Sequence, residues 1–258
     1  MLPTVSAQKA RSARYYLEAL TADLVTPRID PSGPPGEWFY FMHIEKTAGT
    51  SLIYSLYRAF PQAQVFPNLH QERKYFYDRF PLWDEVDANA STFLPRELKM
   101  LVGHFGMGPI DRFSVRPRVF TFLRDPIERL ISGIQFNRQP GRRYFGLSFD
   151  EILAKHAWRE GSMQAQAFGY DHDLDNIDEV LENLLEVDFV GFLDSYDSCI
   201  SRLSTFLGLP KKLHIEHRNR SSGFELNDSQ RERVEYLTTP DRRLYELARE
   251  RHPMPSVG

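Results

Sequence analysis

The stretch from Trp38 to Leu56 constrains this chain more than any other. Trp38 to Met42 is an unbroken apolar and aromatic run, the pattern of a strand buried on both faces of a parallel sheet. Lys46-Thr47-Ala48-Gly49 is a turn of small residues around one lysine. Thr50 and Ser51 are placed to cap a following helix whose apolar positions include Leu52, Ile53, Leu56 and Tyr57. Strand, tight turn and helix in that order aim several N–H groups and the positive end of a helix dipole at one point, a site the size of a phosphate. Lys46 adds a mobile full charge there, and Gly49 lets backbone approach a ligand with no Cβ in between. The same residues also read as a plain strand-turn-helix carrying a chance lysine.

A second stretch, Arg118 to Ser132, has the same grammar. Val119 to Leu123 reads as a buried strand, and Pro126 suits the first turn of a helix, where its missing N–H costs nothing. Ile127, Leu130, Ile131 and Ile134 fall at i, i+3, i+4 and i+7 and make one core stripe, with Ser132 off it. Arg124 closes the strand, so its guanidinium can fork onto a phosphate at the sheet's edge, and Ser132 can add a hydroxyl. Arg129 is expected to pair locally, with Asp125 or Glu128.

Between the two lies Lys99 to Gly108, a short apolar strand over Met100 to Val102 and then a glycine-punctuated loop holding His104. Ligands in open α/β sheets bind outside the carboxyl ends of strands, so a histidine there is well placed for chemistry; a structural loop histidine is the plainer reading.

The totals exclude several classes. At 258 residues the chain suits one α/β domain with a substantial core. A net charge of -3 gives no global basic field for nucleic acid. Cys199 is the sole cysteine, so no internal disulfide forms, which is consistent with a reducing compartment. No run of about 18 apolar residues indicates a membrane span, and no hydrophobic signal core is visible. No His, Cys or carboxylate cluster has metal-ligand spacing, so no metal site is expected. The segment Asp171 to Asp178 lacks the glycine and closing glutamate of a Ca²⁺ loop.

The Lys46 loop is related to a P-loop without being one, since no glycine precedes the lysine as a Walker A motif requires. Lys-Thr-Ala-Gly-Thr-Ser instead resembles the 5′-phosphosulfate loop of sulfotransferases, in particular the His-Ile-x-Lys-Thr-x-Gly-Thr form of the glycan sulfotransferases (heparan sulfate 2-O and 6-O type) and their bacterial relatives. Glu45 stands where that family often has Pro or Gln and brings a negative charge close by. Arg-Asp-Pro-x-x-Arg-Leu-x-Ser resembles the family's 3′-phosphate-binding motif, its Arg and Ser falling on Arg124 and Ser132. The Gly-His pair at 103–104 resembles the segment that carries the family's base, and Phe-Val-Gly-Phe at 189–192 followed by a helix is also similar.

The resemblance covers roughly residues 38 to 250 and implies a P-loop-like three-layer α/β fold with a central, mostly parallel sheet flanked by helices. It implies transfer of a sulfuryl group from PAPS (3′-phosphoadenosine 5′-phosphosulfate, released as PAP), without a metal, to a hydroxyl of an acceptor, a carbohydrate first among the candidates. Lys46 and His104 would be catalytic. Lys46, Thr47, Ala48, Gly49, Thr50, Ser51, Arg124 and Ser132 would hold the donor, joined by Arg220 and Ser221 from a late loop that folds over the nucleotide in relatives. Family members of the Golgi carry a membrane anchor; none is seen here, so a cytoplasmic, bacterial-type enzyme is expected. The rivals are a P-loop-type kinase or NTPase and a non-catalytic nucleotide-binding protein of the same fold.

The rest divides simply. Residues 1–37 read as an N-terminal helical arm and linker, and 38–258 as one domain. Asn68 to Asp78 is polar and aromatic, and Pro81 to Pro95 reads as irregular. Arg138 to Arg143 is a basic turn that faces either solvent or an acidic substrate. Ser148 caps a helix through about His156; Gln164 and Gln166 sit where relatives place a helix facing donor or acceptor. Helices are expected over Ile177–Leu185, Asp194–Leu207, Asn227–Leu237 and Asp241–Arg251, with a strand near 188–194.

Overall fold

The computed structural model describes residues 37–67, 82–89, 94, 97–110, 112–113, 115–172, 175–215 and 224–253. The N-terminal arm, the aromatic segment 68–78, Arg220 and Ser221 lie outside them. Among the described residues five strands form the sheet: β1 (Phe39–Met42), β2 (Val65–Phe66), β3 (Met100–Gly103), β4 (Arg118–Leu123) and β5 (Phe189–Phe192). Their order is β2-β3-β1-β4-β5 and every pairing is parallel. β1 is central and wholly buried, as its unbroken apolar run requires.

The helices are α1 (Gly49–Ala59), α2 (Trp83–Ala88), α3 (Pro126–Asn137), α4 (Phe149–Gly161), α5 (Met163–Ala167), α6 (Ile177–Asn183), α7 (Tyr196–Phe206), α8 (Asp228–Leu237) and α9 (Thr239–Arg251). The main core surrounds the sheet, with stacked Phe41 and Phe120 at 5.0 Å between ring centroids on neighbouring strands. A second core joins α3, α4 and α8 through Leu130, Ile134, Tyr144, Phe149, Ile152, Leu153 and Val234. Side-chain caps fix several helix starts: Asp125 accepts from Glu128 N–H, and Ser148–Glu151 and Asn227–Gln230 form reciprocal boxes.

Three local expectations need correcting. α2 lies within the stretch read as irregular; with Val86 its one buried residue, it shows no apolar period to read. α4 runs past His156 to Gly161. Thr50 and Ser51 do not cap α1, which begins at Gly49 after a left-handed Ala48 and has no side-chain cap.

The topology decides where a ligand belongs. From β1 the chain moves towards β3 and β2; from β4 it moves the opposite way, to β5. The switch point therefore falls between β1 and β4, and crevices for ligands open at the carboxyl ends of such strand pairs. The loops carrying Lys46, His104 and Arg124 follow β1, β3 and β4, three adjacent parallel strands, so all three emerge on one edge.

Candidate functional site

The site grows from the end of β1. His43 N–H donates to Gly103 C=O at 2.9 Å and extends the pairing one residue beyond the strand. Thr121 Oγ1 on β4 donates to Met42 C=O at 2.7 Å, and Tyr40 Oη on β1 donates to Gly106 C=O at 2.8 Å. These three bonds tie the strand ends and the His104 loop to one another.

The turn then takes a special backbone. Lys46 and Ala48 both lie in the left-handed region, with φ of 71° and 66°. Left-handed residues alternating with right-handed ones turn successive N–H groups inward as an anion-binding nest. Thr47 is buried, and its hydroxyl donates to Ile44 C=O at 2.9 Å, closing the turn. What Thr47 offers a ligand is thus its backbone, not its side chain. With no side chain capping α1, the first-turn N–H groups and the dipole's positive end face the same nest.

Gly49 has a different reason from the one its sequence position suggests. A Cβ there would sit 1.6 Å from His43 Nε2 and 2.0 Å from its Cδ2. The residue is small to admit the His43 ring. That ring stacks on Phe41 at 5.4 Å and tilts against His104 at 4.4 Å. Burial, then the neighbouring His104 and Lys46, holds the His43 imidazole well below the usual histidine range, so it is neutral near pH 7.

His104 is exposed, and its Nδ1 lies 2.8 Å from His43 C=O. A carbonyl can only accept, so Nδ1 carries the hydrogen and the neutral ring keeps its lone pair on Nε2. That is the tautomer a general base needs.

Lys46 Nζ lies over the Phe136 ring, 4.0 Å from its centroid, and Arg142 Cζ lies over the same ring at 4.2 Å. Burial holds the Lys46 ammonium below the usual lysine range; Glu45 opposes this, while the positive charges of Arg124, Arg142 and Arg129 add to it. One edge thus concentrates cations that repel one another, an arrangement that an anion would relieve.

Arg124 is mostly buried, and its Nε donates to Glu128 at 3.2 Å, one turn into α3. Glu128, Ser132 and Phe136 repeat at i, i+4 and i+8 and share one helix face. The first pairs with Arg124 and the last lies under Lys46, and buried Ser132 occupies the helix turn between them. The separation along α3 from Glu128 to Phe136 is about 12 Å at 1.5 Å per residue.

Arg129 does not pair with Asp125 or Glu128. It is fully buried, donates to the Glu160 C=O and Met163 Sδ, and stands 3.7 Å from Glu160 Oε2. Tyr144 Oη donates to Glu160 Oε1 at 2.8 Å. Gln164 is buried and bonded to the Arg124 backbone, and Gln166 turns to Trp158, Arg159 and Ser162. Both side-chain amides are thus engaged by the protein itself. Sequence reasoning assigned no role to His43 or Phe136, while Arg142 lay within the basic turn it left between solvent and an acidic substrate. Among the described residues, no group of three or more His, Cys, Asp or Glu could hold a metal, and no helix is long and apolar enough to cross a membrane.

No family model matches this chain, and no curated protein does. Among solved structures it is similar to the crystal structure of a sulfotransferase from Alicyclobacillus acidocaldarius, at 17% identity and a TM-score of 0.48, over 83% of this chain and 96% of that one.

Proposed function

We propose that this protein is a sulfotransferase that takes PAPS as donor and a hydroxyl compound, a glycan first among the candidates, as acceptor. One observation carries the reading. The nest at the start of α1 and the Arg124 guanidinium open on the same edge of the sheet, joined by the α3 face that holds Ser132. A mononucleotide with a single phosphate group would fill one such socket; a nucleoside bearing phosphates at both ends fills two.

In this reading the N–H groups of residues 47–51 and the Lys46 ammonium hold the 5′-phosphosulfate, and Arg124 and Ser132 hold the 3′-phosphate. The donor supplies the sulfuryl group. Transfer is in line, with negative charge building on the oxygen that links phosphorus and sulfur. Lys46 is the cation that meets this charge, its head group only partly hydrated and so worth more than in water. His104 accepts the acceptor's proton at Nε2 while His43 C=O holds its Nδ1–H. Arg220 and Ser221 complete the nucleotide site from the late loop, within a single domain over 38–258 that works in the cytoplasm.

The test is transfer of radiolabelled sulfate from PAPS across a panel of hydroxylated acceptors, with EDTA present. His104→Ala should lower turnover at least about 100-fold while PAP affinity stays within about twofold. No sulfate transfer, together with EDTA-sensitive turnover of ATP, would point to a kinase or NTPase, and transfer undiminished in the His104 variant would remove the base from the scheme.

A further inference from the structure

The buried polar groups behind Arg124 have no part in the scheme above, yet they converge on it. β4 ends at Leu123, so the Arg124 peptide lies beyond the sheet. Gln164, on the single-turn helix α5, replaces the missing strand partner. Its Oε1 accepts from Arg124 N–H at 2.9 Å and its Nε2 donates to Arg124 C=O at 3.0 Å. One donor and one acceptor against one peptide is the exchange made between opposed residues of a ladder. The Gln164 side chain is fully buried and Arg124 half-buried, so both bonds are partly shielded from water.

α5 is itself held from behind. The buried Asp241 carboxylate of α9 accepts from Gln164 N–H at 3.2 Å and Ala165 N–H at 2.8 Å, through different oxygens. A chain of bonds thus runs from α9 through α5 to the backbone of Arg124. At the other end the Arg124 Nε pairs with the mostly exposed Glu128. With its peptide anchored on both polar groups, the residue that carries the cation is set in place before any ligand arrives.

We propose that Gln164, held by Asp241, is the positioning residue that aims Arg124 at the far phosphate of the donor and so sets the preference for a bisphosphorylated over a monophosphorylated nucleotide. This rests on the reading of Arg124 given under the proposed function. Gln164 touches no ligand; its effect is carried by where the Arg124 backbone sits.

The experiment compares calorimetric dissociation constants for PAP and 5′-AMP in the wild type, Gln164→Met, Arg124→Ala and the double variant, at one salt concentration. Gln164→Met keeps length and volume and removes both hydrogen bonds. The wild-type preference for PAP should fall about tenfold in Gln164→Met, with AMP affinity within about twofold, and Gln164→Met should change nothing further once Arg124 is Ala. A general loosening of the fold would weaken both ligands together and leave the ratio alone. If Arg124→Ala abolishes the preference while Gln164→Met retains it, the positioning role is wrong and the functional reading stands. If Arg124→Ala leaves the preference intact, the functional reading itself fails. Should Gln164→Met not fold, Asp241→Asn, which weakens the hold on α5 while leaving the Gln164 side chain in the protein, should shift the ratio the same way by a smaller factor; an unchanged ratio there would overturn the proposal.

Discussion

Gly49→Ala separates two explanations of the same glycine. The structure places its Cβ 1.6, 2.0 and 2.5 Å from three atoms of the His43 ring. Ordinary contact needs about 3.5 Å, so the ring must move by roughly 2 Å or the start of α1 must shift. The ring has little room, lying between Phe41 and His104. Overpacking of this kind costs about 1–3 kcal/mol, and the gain in helix propensity from Gly to Ala returns less than about 1 kcal/mol. The net loss should be about 1–2 kcal/mol by urea denaturation followed by circular dichroism, with an unchanged m-value. In a His43→Ala background the same substitution should cost nothing or stabilise, giving a coupling of about the same size. If Gly49 served only ligand approach, Gly49→Ala would weaken nucleotide binding and leave stability untouched. A variant as stable as the wild type would refute the packing argument.

The other predictions concern buried charge. Arg129→Met should cost about 3–5 kcal/mol, because it strands Glu160 without its cation; unfolding midpoints check this, and recovery in Arg129→Met/Glu160→Met would confirm the cause. Lys46→Met should raise the melting temperature of the ligand-free protein, since the ammonium is held below its usual range by burial and by Arg124, Arg142 and Arg129, while PAP affinity falls about 10- to 100-fold. Burial pushes the Asp241 carboxyl up to about 6 from 3.8. A carboxyl raised on folding binds its proton more tightly in the native state, so its contribution is present at low pH and is lost as pH rises through about 6. The stability difference between wild type and Asp241→Asn should therefore be about 1 kcal/mol larger, in favour of the wild type, at pH 5 than at pH 7.5. The variant is the needed reference because His43, with its lowered range, contributes the opposite slope: stability is full above its unfolded pKa and falls as the medium is acidified.

Local patterns made the frame legible. β1 is an unbroken apolar run, β4 and β5 are mostly apolar, Pro126 and the Ser148 cap marked the starts of their helices, and the three loops at 43–49, 104–108 and 124–126 lay at strand ends where ligands bind. What could not be read depends on residues far apart in the chain. Arg129 had plausible partners one turn away, but its ion pair lies 31 positions on, at Glu160. Gln164 reaches the Arg124 backbone across 40 residues, and no local period marks it. Gly49 is explained by a ring that precedes the turn, and Phe136 reads as an ordinary helix residue until Lys46 and Arg142 are seen above it.

The most direct measurement is calorimetric titration of the unmodified protein with PAP and with 5′-AMP under identical conditions. Two sockets on one edge predict that PAP binds at least about tenfold more tightly, the worth of one added charge-assisted phosphate contact. Equal affinities would mean that the second phosphate meets nothing, and that the cations gathered along α3 do not grip one nucleotide at both ends.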